Sequence, residues 1–118
     1  MRMTIKTKRV YDKSEEDDGY RVVVMRHRPR FLKKGSYNRW MQELSPSAPL
    51  LKSYLTRMID WDTFTSGYHK EMKSNPVSQQ AIHELREKSK VTDVTLLCHE
   101  KDGENCHRYL LKNLIDLE

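Results

Sequence analysis

Two short apolar runs set far apart, Tyr20-Arg21-Val22-Val23-Val24-Met25 and Val94-Thr95-Leu96-Leu97, restrict the fold of this chain more than any other feature. Each is of strand length, and neither alternates as a strand with one wet face would, so both are expected to be covered on both sides. Between them, apolar residues recur at helical spacing. Buried strands joined through helices imply a parallel crossover, which is right-handed as a rule. The expected fold is α/β, a small, mostly parallel sheet of about three strands with four to five helices packed on it. One domain spanning residues 1–118 accommodates it.

The rest of the chain fills in this frame. Thr4-Ile5-Lys6-Thr7-Lys8-Arg9-Val10-Tyr11 carries the β-branched residues of a first strand. An acidic loop, with Glu15-Glu16-Asp17-Asp18, links it to the second strand and is too short for a helix, which leaves a hairpin or a long-loop crossover open. Ser36 is placed to cap a helix with Tyr37, Trp40, Met41 and Leu44 on one face, stopped by Ser45-Pro46-Ser47. Pro49 opens a helix with Leu50, Leu51, Tyr54, Leu55 and Met58 inward. Asp60 caps the next, lined by Trp61, Phe64, Tyr68 and Met72, with Ile59 stapled onto Phe64. Asn75-Pro76 begins another, burying Val77, Ala81, Ile82 and Leu85. The closing helix starts near Cys106-His107-Arg108 and buries Cys106, Leu110, Leu111, Leu114 and Ile115.

Charge and cysteine usage narrow the functional classes. Twenty-two Lys and Arg against 17 Asp and Glu leave a net charge of +5, which favours anionic partners without requiring nucleic acid. No stretch approaches the roughly 18 apolar residues of a membrane span, and Met1-Arg2-Met3-Thr4-Ile5-Lys6 lacks an apolar signal core, so a cytoplasmic protein with no membrane partner is expected. Two cysteines are too few for a secreted disulfide scaffold, so Cys98 and Cys106 are expected to be thiols.

The chemistry-bearing residues converge on one rim. If the two buried strands are parallel, Arg26-His27-Arg28-Pro29-Arg30 leaves the sheet beside Cys98-His99-Glu100, at the strand ends where ligands of open α/β sheets bind. Cys98 is the candidate nucleophile, its thiolate favoured by the following helix amino terminus. Arg26, Arg30 and Arg108 are the candidate anion-binding groups, since guanidinium matches phosphate and carboxylate geometry. His99, Glu100 and His107 stand as supporting residues. Glu104 occupies the position that a cysteine-phosphatase loop gives to its arginine, so that template is not met. No metal is expected: Cys98 and Cys106 lack the short spacer of paired zinc ligands, and neighbours such as Cys106 and His107 point apart on a helix. No cofactor is implied.

Lys8-Arg9-Val10-Tyr11, the strand entry Asp18-Gly19-Tyr20-Arg21-Val22-Val23-Val24, Arg26 with Pro29-Arg30, Trp40, Glu43-Leu44-Ser45-Pro46-Ser47, Phe64 with Tyr68, and Leu96-Leu97-Cys98 through Cys106-His107-Arg108 together resemble the YeaO-like family, domain of unknown function 488. The resemblance implies a small cytoplasmic α/β protein of prokaryotes with no assigned biochemical role. Met25, Arg28 and Phe31 depart from that pattern, replacing an acid, a tryptophan and a glycine, whereas Cys98 and Cys106-His107-Arg108 fit it. The expected function is anion binding at the strand ends with a thiol-dependent activity on a phosphorylated or other anionic small substrate. The alternative is a non-catalytic module that binds nucleic acid or an acidic protein through the basic segment 26–34. Oligomeric state is left open.

Overall fold

The second apolar run becomes the strand to which most of the sheet is tied. In the computed structural model, which describes residues 5–12, 15–27, 36–98 and 106–116, there are four strands: β1 (Ile5–Arg9), β2 (Tyr20–Val23), β3 (Arg39–Trp40) and β4 (Val94–Cys98). Their order is β1-β4-β2-β3, and all pairs are parallel. Ile5 and Tyr20 both lie opposite Val94, so β4 is paired along both edges, and all five of its residues are buried. The connection from β1 to β2 is therefore a crossover past β4 and not a hairpin.

Four helices are present among the described residues. They are α1 (Ala48–Leu55), α2 (Trp61–Ser74), α3 (Pro76–Lys88) and α4 (His107–Asp116). Of these, α2 and α3 start at the caps expected from the sequence, Asp60 and Asn75. Asp60 accepts from the Thr63 N–H at 2.8 Å, and Asn75 accepts from the Val77 N–H at 2.9 Å, satisfying amide groups that helix starts leave open. Phe64, Tyr68 and Met72 of α2, Ala81, Ile82 and Leu85 of α3, and Leu111 and Ile115 of α4 join Ile5, Val22, Val24, Val94 and Leu96 in one core. The opposite sheet face has a smaller cluster of Val10, Val23 and Leu97, flanked by Met25, Tyr37 and Trp40. Among the described residues no helix is long and apolar enough to cross a membrane.

Three expectations fail for identifiable reasons. Residues 39–44 form β3 and a 3-10 turn (Gln42–Leu44) instead of a helix, giving a fourth strand. The outer edge of β2 supplies the competing partners: the Asn38 N–H donates to the Arg21 carbonyl at 2.8 Å, the Met41 N–H to Val23 at 2.9 Å, and the Trp40 indole to Met25 at 2.9 Å. Pairing an otherwise open strand edge outweighs helical spacing. Leu55 and Met58 are 64% and 80% exposed, because α1 ends at Leu55 and Arg57, with φ of 63°, turns the chain off the stripe. Val77 is also exposed, lying in the first turn of α3.

The acidic stretch covers the second sheet face. A 3-10 turn, Glu16–Asp18, brings the buried Asp18 carboxylate against the Arg21 guanidinium and to 3.1 Å from Lys8 Nζ. Thr95 of β4 donates its hydroxyl to the Asp18 carbonyl at 2.7 Å. Burial alone would raise the Asp18 carboxyl, but the Glu15 N–H, the Lys8 ammonium and the Arg21 guanidinium hold it below the ordinary 3.8. Gly19 then turns with φ of 65°, and a Cβ there would lie 2.2 Å from the Asp93 carbonyl oxygen.

Because the folded Asp18 carboxyl titrates below its unfolded value of 3.8, its stabilisation is complete above that value and is lost as pH falls through the folded one. Asp18→Asn should lower unfolding free energy by about 3 kcal/mol at neutral pH and flatten the acid limb of the denaturant-melt profile, since Arg21 is left buried without its counter-charge. Gly19→Ala should cost more than about 2 kcal/mol in the same measurement, from the clash and the φ value together.

Candidate functional site

Parallel pairing delivers the carboxyl ends of β1, β2 and β4 to one rim, and α4 begins there. Cys98 ends β4; its carbonyl accepts from the Val10 N–H at 2.7 Å and from Arg108 Nη1 at 3.3 Å. Arg108 Nη1 also donates to the Lys8 carbonyl at 3.1 Å, and Nη2 to the Tyr109 hydroxyl at 3.0 Å. This wholly buried guanidinium ties α4 to the ends of β1 and β4.

Cys106 directly precedes α4, so its side chain occupies the capping position and not a place on the helical wheel. Its sulfur lies within 4.8 Å of the Cys98 sulfur, and the Arg108 backbone N–H is directed at it. His107 Nδ1 lies 3.8 Å from Cys106 Sγ, while Nε2 lies 2.6 Å from the Val24 carbonyl oxygen, just beyond β2. A carbonyl can only accept, so Nε2 carries a hydrogen and Nδ1 faces the sulfur. The Tyr68 ring packs against the imidazole at 5.7 Å between centroids. Burial pushes the Tyr68 hydroxyl well above its usual range; it donates to the Leu44 carbonyl at 2.7 Å.

The surroundings of Cys106 lower its thiol. The hydrogen bond from Cys98 is the largest influence on Cys106; burial opposes it, and the His107 hydrogen bond and charge and the Arg108 N–H reinforce it. Together they bring the Cys106 thiol from 9.0 down to about 6. Thiol, imidazole and an acceptor that orients the imidazole thus stand in sequence.

Of the residues singled out in the sequence, Cys98, His107 and Arg108 are brought together. Arg26 lies on the same rim, two residues past Val24, but lines a cavity of about 270 Å³ with Gln42, Ser45, Ser47, Glu71 and Ser78. Arg30, His99 and Glu100 lie outside the described residues, as does most of the basic segment 26–34. Cys106 is buried, as its spacing suggested, yet its sulfur meets Cys98 and His107. The two cysteines are thiols and not a disulfide, and one ligand-type atom from each of Cys98, Cys106 and His107 lies within 4.8 Å of the others. Cys106 and His107 do not point apart as two helical neighbours would, because Cys106 lies outside α4. The roles of Tyr68 and the Val24 carbonyl went unseen; for Tyr68 the one sequence signal was its place in the α2 stripe.

Residues 5–118 match the family model described as the active DUF488-N3 subclade, DUF488-N3a. The chain is 34% identical over 111 residues to the uncharacterized protein YeaO of Escherichia coli (strain K12), covering 92% of this chain and 94% of that protein. It is 30% identical over 97 residues to the uncharacterized protein Rv3073c of Mycobacterium tuberculosis (strain ATCC 25618 / H37Rv), covering 80% and 81%. The uncharacterized protein Mb3100c of Mycobacterium bovis (strain ATCC BAA-935 / AF2122/97) gives the same identity and coverage. No solved structure gives a significant match.

The folded thiol value lies below the unfolded one, so the Cys106 contribution to stability is complete above pH 9.0 and is lost as pH falls towards about 6. Thiolate ultraviolet absorbance of the native protein should therefore rise with a midpoint near pH 6 that Cys98→Ala moves upward. Denaturant melts should gain about 1 kcal/mol per pH unit across the same window.

Proposed function

Since the chain belongs to the YeaO-like DUF488 family, we propose that it performs thiol-dependent chemistry on a small anionic substrate, with Cys106 as the nucleophile. The observation that carries this reading is the meeting of Cys106 Sγ with the Cys98 thiol and His107 Nδ1 at the start of α4. The lowered Cys106 thiol supports it. Cys98, the nucleophile expected from sequence, instead donates its S–H to Cys106 and holds the attacking sulfur in place.

The chemistry follows the geometry. A proton moves from Cys106 Sγ to His107 Nδ1, and the imidazolium stays fixed by Nε2–H on the Val24 carbonyl. The thiolate forms a bond to the electrophilic centre, and the leaving group departs with its bonding pair and takes the proton from Nδ1. Arg26 supplies positive charge on this rim for the anion. Arg108, committed to the carbonyls of Lys8 and Cys98, acts as a positioning residue.

Alkylation of the native protein with iodoacetate and iodoacetamide, followed by peptide mapping, tests this. Cys106 should be modified ahead of Cys98, with iodoacetate favoured, and Arg26→Ala should lower the iodoacetate rate about threefold while sparing iodoacetamide. A Cys106 that reacts only after unfolding would sink the proposal.

A further inference from the structure

Around a tetrahedral zinc ion, sulfur ligands sit at about 2.3 Å and imidazole nitrogens at about 2.0–2.1 Å, which separates neighbouring donor atoms by roughly 3.5–3.8 Å. Cys106 Sγ and His107 Nδ1 are 3.8 Å apart, and the Cys98 sulfur completes a trio within 4.8 Å. All three residues are buried. The His107 Nε2 contact with the Val24 carbonyl, at 2.6 Å, is the outer hydrogen bond that metal-bound imidazoles use; it turns the Nδ1 lone pair towards the sulfurs.

The donor set also selects the ion. No carboxylate belongs to the trio among the described residues, so two sulfurs and one nitrogen favour thiolate-preferring ions over magnesium or calcium. Two thiolates neutralise a divalent charge, and the nearby Arg108 guanidinium is directed at carbonyl oxygens.

We infer that Cys98, Cys106 and His107 form a three-point site for a divalent ion of the zinc class, with the fourth position left to water or another exogenous donor. The site shares its atoms with the thiol chemistry above but does not rest on that reading. A bound ion occupies the sulfur lone pairs and silences the nucleophile, so metal and electrophile compete for one centre.

Cobalt(II) titration of the reduced, chelator-treated full chain tests the site. One equivalent should bind with the intense thiolate-to-cobalt absorption of a tetrahedral site, and zinc should displace it. Cys98→Ser and Cys106→Ser should each weaken binding at least about tenfold, whereas His83→Gln, on the exposed side of α3, should leave it unchanged. Zinc should also protect both thiols from alkylation until chelator is added. A wild-type protein with no charge-transfer band, or a band that survives both serine substitutions, would overturn the assignment. If the band is absent and Cys106 still alkylates selectively in the folded chain, the metal site falls and the thiol chemistry stands. If the band is present and metal-free Cys106 is inert, the metal site stands and the thiol chemistry falls.

Discussion

Among the described residues, the buried carboxylate of Asp18 helps cover the sheet face on which no helix packs. Parallel strands are buried on both faces, and most folds meet that demand with helices above and below. Here α2, α3 and α4 cover one face, while the other, among the described residues, carries the smaller cluster of Val10, Val23 and Leu97 flanked by Met25, Tyr37 and Trp40. Lys8 and Arg21 project onto that second face from β1 and β2, and Asp18 answers both charges. The same turn is tied to β4 through Thr95. Three strands are thereby locked side by side in register, and Val24 and Cys98 emerge on the same rim, where His107 and Cys106 meet them.

Much of this was legible where local chemistry and tertiary demand agree. Asp60 and Asn75 cap helices because their side chains reach amide groups two or three residues ahead, a short-range matter that sequence displays. The parallel relation of β2 and β4 followed from their unbroken apolar character and the helices between them. Tyr37, Trp40, Met41 and Leu44 fit a helical face equally well; what converts residues 39–40 into β3 is the unpaired edge of β2, which lies at a distance in sequence. The acidic stretch reads in sequence only as a loop because its partners, Lys8 and Arg21, meet it only once the chain folds back.

The site was legible by location more than by role. Cys98 at a strand end and Cys106 at the start of the closing helix marked the junction, but sequence spacing measures contact along one element, and these two residues belong to different ones. Their sulfurs meet because β4 ends where α4 begins. Cys106 and His107 can face one another because a capping residue has not entered the helix, so the angular rule for successive helical side chains does not govern them. Arg108 looked like an anion ligand from its charge; its interior position gives it carbonyl partners instead.

Arg108 reaches the Lys8 carbonyl across 100 residues of chain, and β1 pairs with β4 over a comparable span. Contacts of such separation form late, because the entropy of closing the loop must be met before they contribute. During synthesis β2 emerges with neither β4 nor α4 to cover it, and Cys98 and Cys106 gain each other and His107 as neighbours only once α4 has left the ribosome and docked.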